Sequence, residues 1–322
     1  MPTPLADRVF RAVTTLCAAA IPLVLVLLTV VVVRSAWPAL LLHGGELIGG
    51  TTWDVPRARF GALPAVAGTL LSSGIALLVA APLAIGVAIF ASDIGPRALR
   101  EPVAFLVNLL AAIPSVVYGL WGVFVLIPLL RRTLMPALTP LGDVLPFVRG
   151  PAYGPSLLAA GLVLAIMILP YIASVSRDVL LAVPQAQREA ALALGATPWE
   201  VVRDAVLPAA QSGLVGSLML GLGRALGESL AVAMVIGNRH AIPTSLFDPA
   251  YSMAALLANE FAEASSNGHI SALMAVAALL LVVTLLVNLL ARWLVQRVAS
   301  GGASGSASGG ATSGATGGGW WS

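Results

Sequence analysis

A chain of 322 residues in which 59 % of side chains are hydrophobic and only 10 % are charged lies far from the soluble average, where about a quarter are charged. Lysine is absent, which excludes a phosphate-binding loop ending in Gly-Lys-Ser/Thr and a Schiff-base lysine, so any ATP chemistry falls to a partner and no cofactor is expected. The lone Cys17 excludes an internal disulfide, His43, His240 and His269 form no close-spaced metal motif, and a net charge of +3 reads as charge flanking membrane spans rather than as a nucleic-acid surface.

Six apolar stretches are long enough to cross a hydrocarbon layer about 30 Å thick. They lie near 16–33, 66–91, 103–130, 154–176, 213–236 and 270–291. The fold class is an all-α integral membrane protein of six transmembrane helices, because lipid leaves backbone groups no partner but each other. The first stretch carries no small-x-small cleavage signal after its apolar run and is expected to be a retained span behind a cytoplasmic segment at 1–15. Trp37, Trp53, Arg57 and Arg59 fall between the first two spans, in what is expected to be a loop at the membrane surface. In the third span, Pro114 predicts a kinked helix, with Ser115, Tyr118 and Asn108 either lining a polar path or packing.

Between the fourth and fifth spans, over 177–211, the sequence predicts a compact knob. Pro184 opens a short helix through Glu189-Ala190-Ala191 that Gly195 can stop in the left-handed conformation. Thr197, Pro198 and Glu200 then set out a capping box for a second helix, which Pro208 is expected to interrupt. Such a knob suits a cytoplasmic partner and would place both termini inside, an orientation that arginine counting favours only narrowly.

The fifth span carries Arg224 and Glu228, four residues apart and therefore expected on one helix face. They either neutralise one another as a structural pair, or Arg224 offers its guanidinium to an anion while Glu228 holds it, beside the hydroxyl of Ser229. Gly223 and Gly227 form a small-xxx-small pair that predicts a close helix seam on this face. After the sixth span the chain turns to glycine, serine and alanine, and 299–322 is expected to be a disordered tail closing the permease domain of 16–298.

Glu189-Ala190-Ala191, three further residues and Gly195, followed by Leu207-Pro208, resembles the EAA motif of ABC importer permeases. The blocks Phe60 to Pro64, Gly68-Thr69-Leu70, Ala81-Pro82-Leu83, Ile113 to Gly122, Gly223 to Ser229 and Gly237-Asn238 are similar to the PstC family of phosphate-specific permeases. That resemblance implies a type I (MetI-like) importer bundle with a cytoplasmic coupling helix, in which Glu189, Ala190 and Gly195 meet an ATPase and Arg224, Glu228, Ser229, Ser115 and Tyr118 line the substrate path. It also implies a PstA-type permease, PstB-type ATPase subunits and a PstS-type phosphate-binding protein as partners in a bacterial plasma membrane, with no nucleic acid. Another oxyanion such as sulfate or molybdate, or a proton-coupled carrier relaying through Arg224 and Glu228, stands as the alternative.

Overall fold

The structure is a computed structural model and describes residues 5–143, 146–151 and 153–303; most of the tail expected over 299–322 lies outside the described residues. Helix α1 (Leu5–Gly49) is followed by a small hairpin, β1 (Trp53–Asp54) antiparallel to β2 (Arg59–Phe60), and then by α2 (Leu63–Ile94). Next come α3 (Arg97–Ala111), α4 (Ser115–Leu138), α5 (Leu157–Leu181) and α6 (Gln185–Ala193). The chain continues through α7 (Pro198–Gly227), α8 (Leu230–Val235), α9 (Met253–Glu260) and α10 (Asn267–Ala303). Among the described residues, α1, α2, α4, α5, α7 and α10 are long and apolar enough to cross a membrane.

Helix α5 is the axis of the bundle, with 67 % of its most apolar window buried, against 0 % for α1 at the periphery. Helix α2 turns Ala76, Ala80, Ala84 and Ala88 into the core, each at most 1 % exposed. Their four-residue spacing gives one face, and methyl side chains let backbones approach closely where lipid supplies no hydrophobic drive. On the other flank of α5, the buried hydroxyls of Ser176 and Ser217 bond at 2.7 Å and tie it to α7. Helix α1 leans on α10 through Ala36, Ala39 and Leu47 against Ala272 and Ala275. That packing carries α1 past its apolar stretch, so Trp37 sits inside a helix and not in the loop its composition suggests.

Proline shapes the spans in two ways. Four π-helical segments, Phe90–Ile94, Gly122–Leu126, Leu130–Leu134 and Val201–Val206, each end two residues before a proline, at 96, 128, 136 and 208. Where the helix continues, through Pro128, Pro136 and Pro208, the wider turn moves the preceding carbonyls away from the ring and accommodates its missing N–H; at Pro96 the chain has already left the helix through an extended Gly95. Pro208 therefore does not interrupt the chain as expected: α7 runs through it from Pro198. Pro114 does the opposite. It takes an extended conformation (φ −60°, ψ 143°), so the expected kinked third span is a true break between α3 and α4.

At the end of the bundle away from α6, two of the three histidines, scattered in sequence, converge. His240 and His269 approach the Glu260 carboxylate through Nε2 at 3.3 and 3.0 Å, and the Trp53 indole donates to it at 2.8 Å. Trp53 stacks on His240 and Phe60 on His269. Burial alone would raise the Glu260 carboxyl, but the bonds from His240, Trp53 and His269 outweigh it and hold its pKa below the ordinary value. Four chain segments are thereby tied at one carboxylate. Among the described residues no group of three or more His, Cys, Asp or Glu side chains is arranged to hold a metal ion.

Candidate functional site

Two regions carry chemistry. The first is the knob between α5 and α7. Pro184 lies just ahead of α6, and Gly195 closes the helix at φ +88°, where its N–H reaches the Leu192 carbonyl at 2.9 Å. A residue with a Cβ is disfavoured in that conformation although the space around it is open. The capping box is complete: the Glu200 N–H donates to the Thr197 hydroxyl at 3.4 Å, and the Thr197 N–H donates to the Glu200 carboxylate at 2.7 Å. Glu189 and Ala190 are exposed, and so are Leu192, Leu194 and Trp199, with Leu194 91 % exposed.

The knob is anchored by residues that its motif does not name. Arg188 on α6 forms an ion pair with Asp93 at the end of α2, and donates to the Leu180 carbonyl at 2.6 Å. Both side chains are largely buried, at 14 % and 9 % exposure. Burial lowers the Arg188 pKa from its ordinary value, yet a guanidinium beside a carboxylate stays charged. Arg100 ties the same turn from α3, donating to the carbonyls of Gly95 at 2.7 Å, Ser92 at 2.8 Å and Asp93. Leu192 on α6, Leu194 just past its end and Trp199 on α7 are exposed on a turn that Arg188 fastens to α2, an arrangement that can pass on a push because little slack remains between α6 and α2.

The second region lies where α3, α4, α5 and α7 meet. Helix α7 ends at Gly227, Glu228 is extended (ψ 124°), and α8 starts only at Leu230. The expected continuous fifth span is thus broken, and Arg224 and Glu228 do not share one helix face. They form no ion pair: Glu228 Oε1 accepts the Ala231 N–H at 3.3 Å and caps α8. Ser229 stands at the start of α8 without capping it through its side chain. Arg224 instead lays its guanidinium over the Tyr171 ring, 4.1 Å from the centroid, and its buried Nε has no hydrogen-bond partner.

Tyr171 and Tyr118 complete the site. Their hydroxyls donate to consecutive carbonyls at the broken end of α3, Tyr171 to Ala111 at 3.0 Å and Tyr118 to Leu110 at 2.8 Å. The last carbonyls of a helix lack intrahelical partners, and the two phenols bond two of those at the α3–α4 break. Ser115 is half-buried at the start of α4. Toward α6 the α3–α5 seam stays polar, with Ser174 donating to Asn108 at 3.3 Å and Arg177 paired with Glu101 at 3.6 Å. Among the described residues the Gly223–Gly227 seam is not formed, since nothing lies within 4 Å of either position where a Cβ would stand. The close approaches are made elsewhere: Gly119 on α4 faces Ala231 and Met234 of α8 so tightly that a Cβ would stand 2.7 Å from the methionine sulfur. A groove runs between α7 and α10 past Ser212, Gly216, Leu220, Leu285, Leu289 and Arg292; Arg224 is not among its lining residues, and the lining is mostly apolar.

Sequence reasoning missed Tyr171, Asp93 and Arg188 as functional partners. The only signal for Tyr171 is an aromatic following Pro170 in mid-span; Asp93 and Arg188 are far apart in sequence, and the pair is a product of the fold.

Comparison with known proteins adds an independent line. Residues 82–300 match the family described as binding-protein-dependent transport system inner membrane component. The chain is 44 % identical over 282 residues to the phosphate transport system permease protein PstC of Haemophilus influenzae, covering 86 % of this chain and 89 % of that protein. It is 45 % identical to the protein of the same name from Mesorhizobium japonicum, with 87 % of each chain covered. Among solved structures, a chain of the MetNI methionine ABC transporter superposes with a TM-score of 0.51 at 20 % identity, covering 76 % of this chain and 99 % of that one, a likeness of fold.

Proposed function

The chain belongs to the family of binding-protein-dependent transport inner membrane components, among the phosphate transport permeases of the PstC type, and on that premise we propose that it is the membrane subunit of an ATP-driven phosphate importer. No covalent chemistry falls to it. PstB-type subunits hydrolyse ATP, a PstA-type permease forms the other half of the pathway, and a PstS-type protein delivers phosphate. Helix α6 is the coupling helix and faces the cytoplasm, which sets both termini inside; residues 177–211 are the coupling loop. The observation that carries this reading is the fastened α6, with Leu192, Leu194 and Trp199 exposed around the Gly195 turn.

Arg224 supports an anionic substrate. A guanidinium within a span costs at least about 2.5–3.5 kcal/mol, and stacking on one ring returns about 0.5–2 kcal/mol. With no carboxylate among the described residues paired to it and a buried Nε left bare, the remaining cost is offset when an anion arrives. Glu228 serves by fixing α8, and Ser115, Tyr118 and Ser229 line the approach. The test is Arg224→Gln in membranes holding all four components: phosphate uptake falls to background while the ATPase still co-purifies. Normal uptake by that variant removes Arg224 from the pathway.

A further inference from the structure

We infer that Tyr171 is a positioning residue for transport, holding the Arg224 guanidinium in register with the break between α3 and α4; the inference rests on Arg224 being the group that meets the anion. The sequence marks this residue only as an aromatic after Pro170, and three observations on separate elements point to its role.

The first is the stack. Among the described residues no carboxylate pairs with Arg224, its Nε lacks a partner, and the Tyr171 ring face at 4.1 Å is the contact that places the cation. The second is the tether. The Tyr171 hydroxyl donates at 3.0 Å to Ala111, the last residue of α3, so the ring cannot swing away without giving up its bond to a helix-end carbonyl. The third is the neighbouring bond from Tyr118 of α4 to Leu110 at 2.8 Å, which fastens the other side of the break to the adjacent carbonyl. Helices α3, α4, α5 and α7 thus meet through two phenols. A shift of α4 against α3 is carried through the Ala111–Tyr171 bond to the ring, and from the ring to the guanidinium. Tyr171 touches the cation and needs no contact with the anion itself.

This division of labour predicts different outcomes for ring and hydroxyl. In the complete importer, reconstituted with liganded binding protein, Tyr171→Leu removes the platform and the tether and lowers maximal phosphate uptake about thirtyfold, the scale of a desolvated cation–π contact. Tyr171→Phe keeps the platform, frees the tether and lowers it about threefold, within the net worth of one hydrogen bond. Tyr171→Trp retains a stacking face and exceeds Tyr171→Leu in rate. In all three the KM for liganded binding protein stays within about twofold, because docking takes place on the protein surface and not in this seam.

The decisive comparison places Tyr171→Leu in an Arg224→Lys background with residual uptake. A residue acting through the guanidinium produces little further loss there, whereas an independent structural role produces the same fold loss as in the parent. Co-purification of the ATPase at parental yield verifies assembly of each variant, and Tyr171→Phe and Tyr171→Trp carry the test if Tyr171→Leu does not assemble. Equal rates for the parent, Phe and Trp variants, a loss confined to KM, or an undiminished loss in the Arg224→Lys background overturns the inference. Normal uptake by Arg224→Gln overturns instead the reading on which it stands, so the two failures are distinguishable.

Discussion

Asp93→Asn tests whether the coupling helix is a rigid part. The substitution removes the charge that faces Arg188 and leaves its guanidinium with a neutral amide oxygen and the Leu180 carbonyl at 2.6 Å. Breaking a buried pair from one side costs about 3–5 kcal/mol, and the 14 % and 9 % exposure of these side chains places the cost near the lower figure. At 1.4 kcal/mol per decade, about 3 kcal/mol shifts the balance between docked and loose α6 roughly a hundredfold. The assay is the ratio of phosphate delivered to ATP hydrolysed in reconstituted importer, read beside the thermal midpoint of the purified complex. The variant should lose ratio and midpoint together. The double variant Asp93→Ala/Arg188→Ala, which strands no charge, should lose less midpoint than the sum of its single variants. A parental ratio and midpoint for Asp93→Asn would refute the anchoring argument.

Two further outcomes follow from local geometry. Gly195→Ala meets no neighbour but must hold φ +88°, a cost of about 1 kcal/mol that should weaken ATPase co-purification modestly. Gly195→Pro cannot adopt that φ and loses the N–H bonded to Leu192, so co-purification should disappear; full yield would show that the turn is dispensable. At the other end, the Glu260 pKa is depressed, so its contribution to stability is complete above the ordinary carboxylate value of 4.5 and is lost as pH falls through the folded-state value. Melting scans from about pH 7 to about pH 4 should show Glu260→Gln less stable than the parent at neutral pH, with the difference shrinking below about pH 4.5. A pH-independent difference would contradict the role of the carboxylate charge.

The bundle was legible where the physics is local. Apolar length marks six spans because the hydrocarbon layer sets a minimum, and the Gly195 stop and the Thr197–Glu200 box are written in adjacent residues. Proline was ambiguous because its effect depends on what the preceding turn does: Pro208 is absorbed by a π segment, whereas Pro114 separates two helices. The pairing of Arg224 with Glu228 could not be judged from spacing, since the four-residue rule holds only while the helix continues, and α7 stops at Gly227. Tyr171, Asp93 and the Glu260 cluster join residues distant in sequence, and no periodicity reports such meetings.

The central claim is that this chain passes phosphate under the drive of a separate ATPase. It is tested most directly by reconstituting the chain with PstA-type, PstB-type and PstS-type partners and following labelled phosphate into vesicles. The account predicts accumulation that requires ATP and liganded binding protein and is not competed by excess sulfate or molybdate. Accumulation that persists without the ATPase, or that carries sulfate or molybdate in place of phosphate, would contradict it.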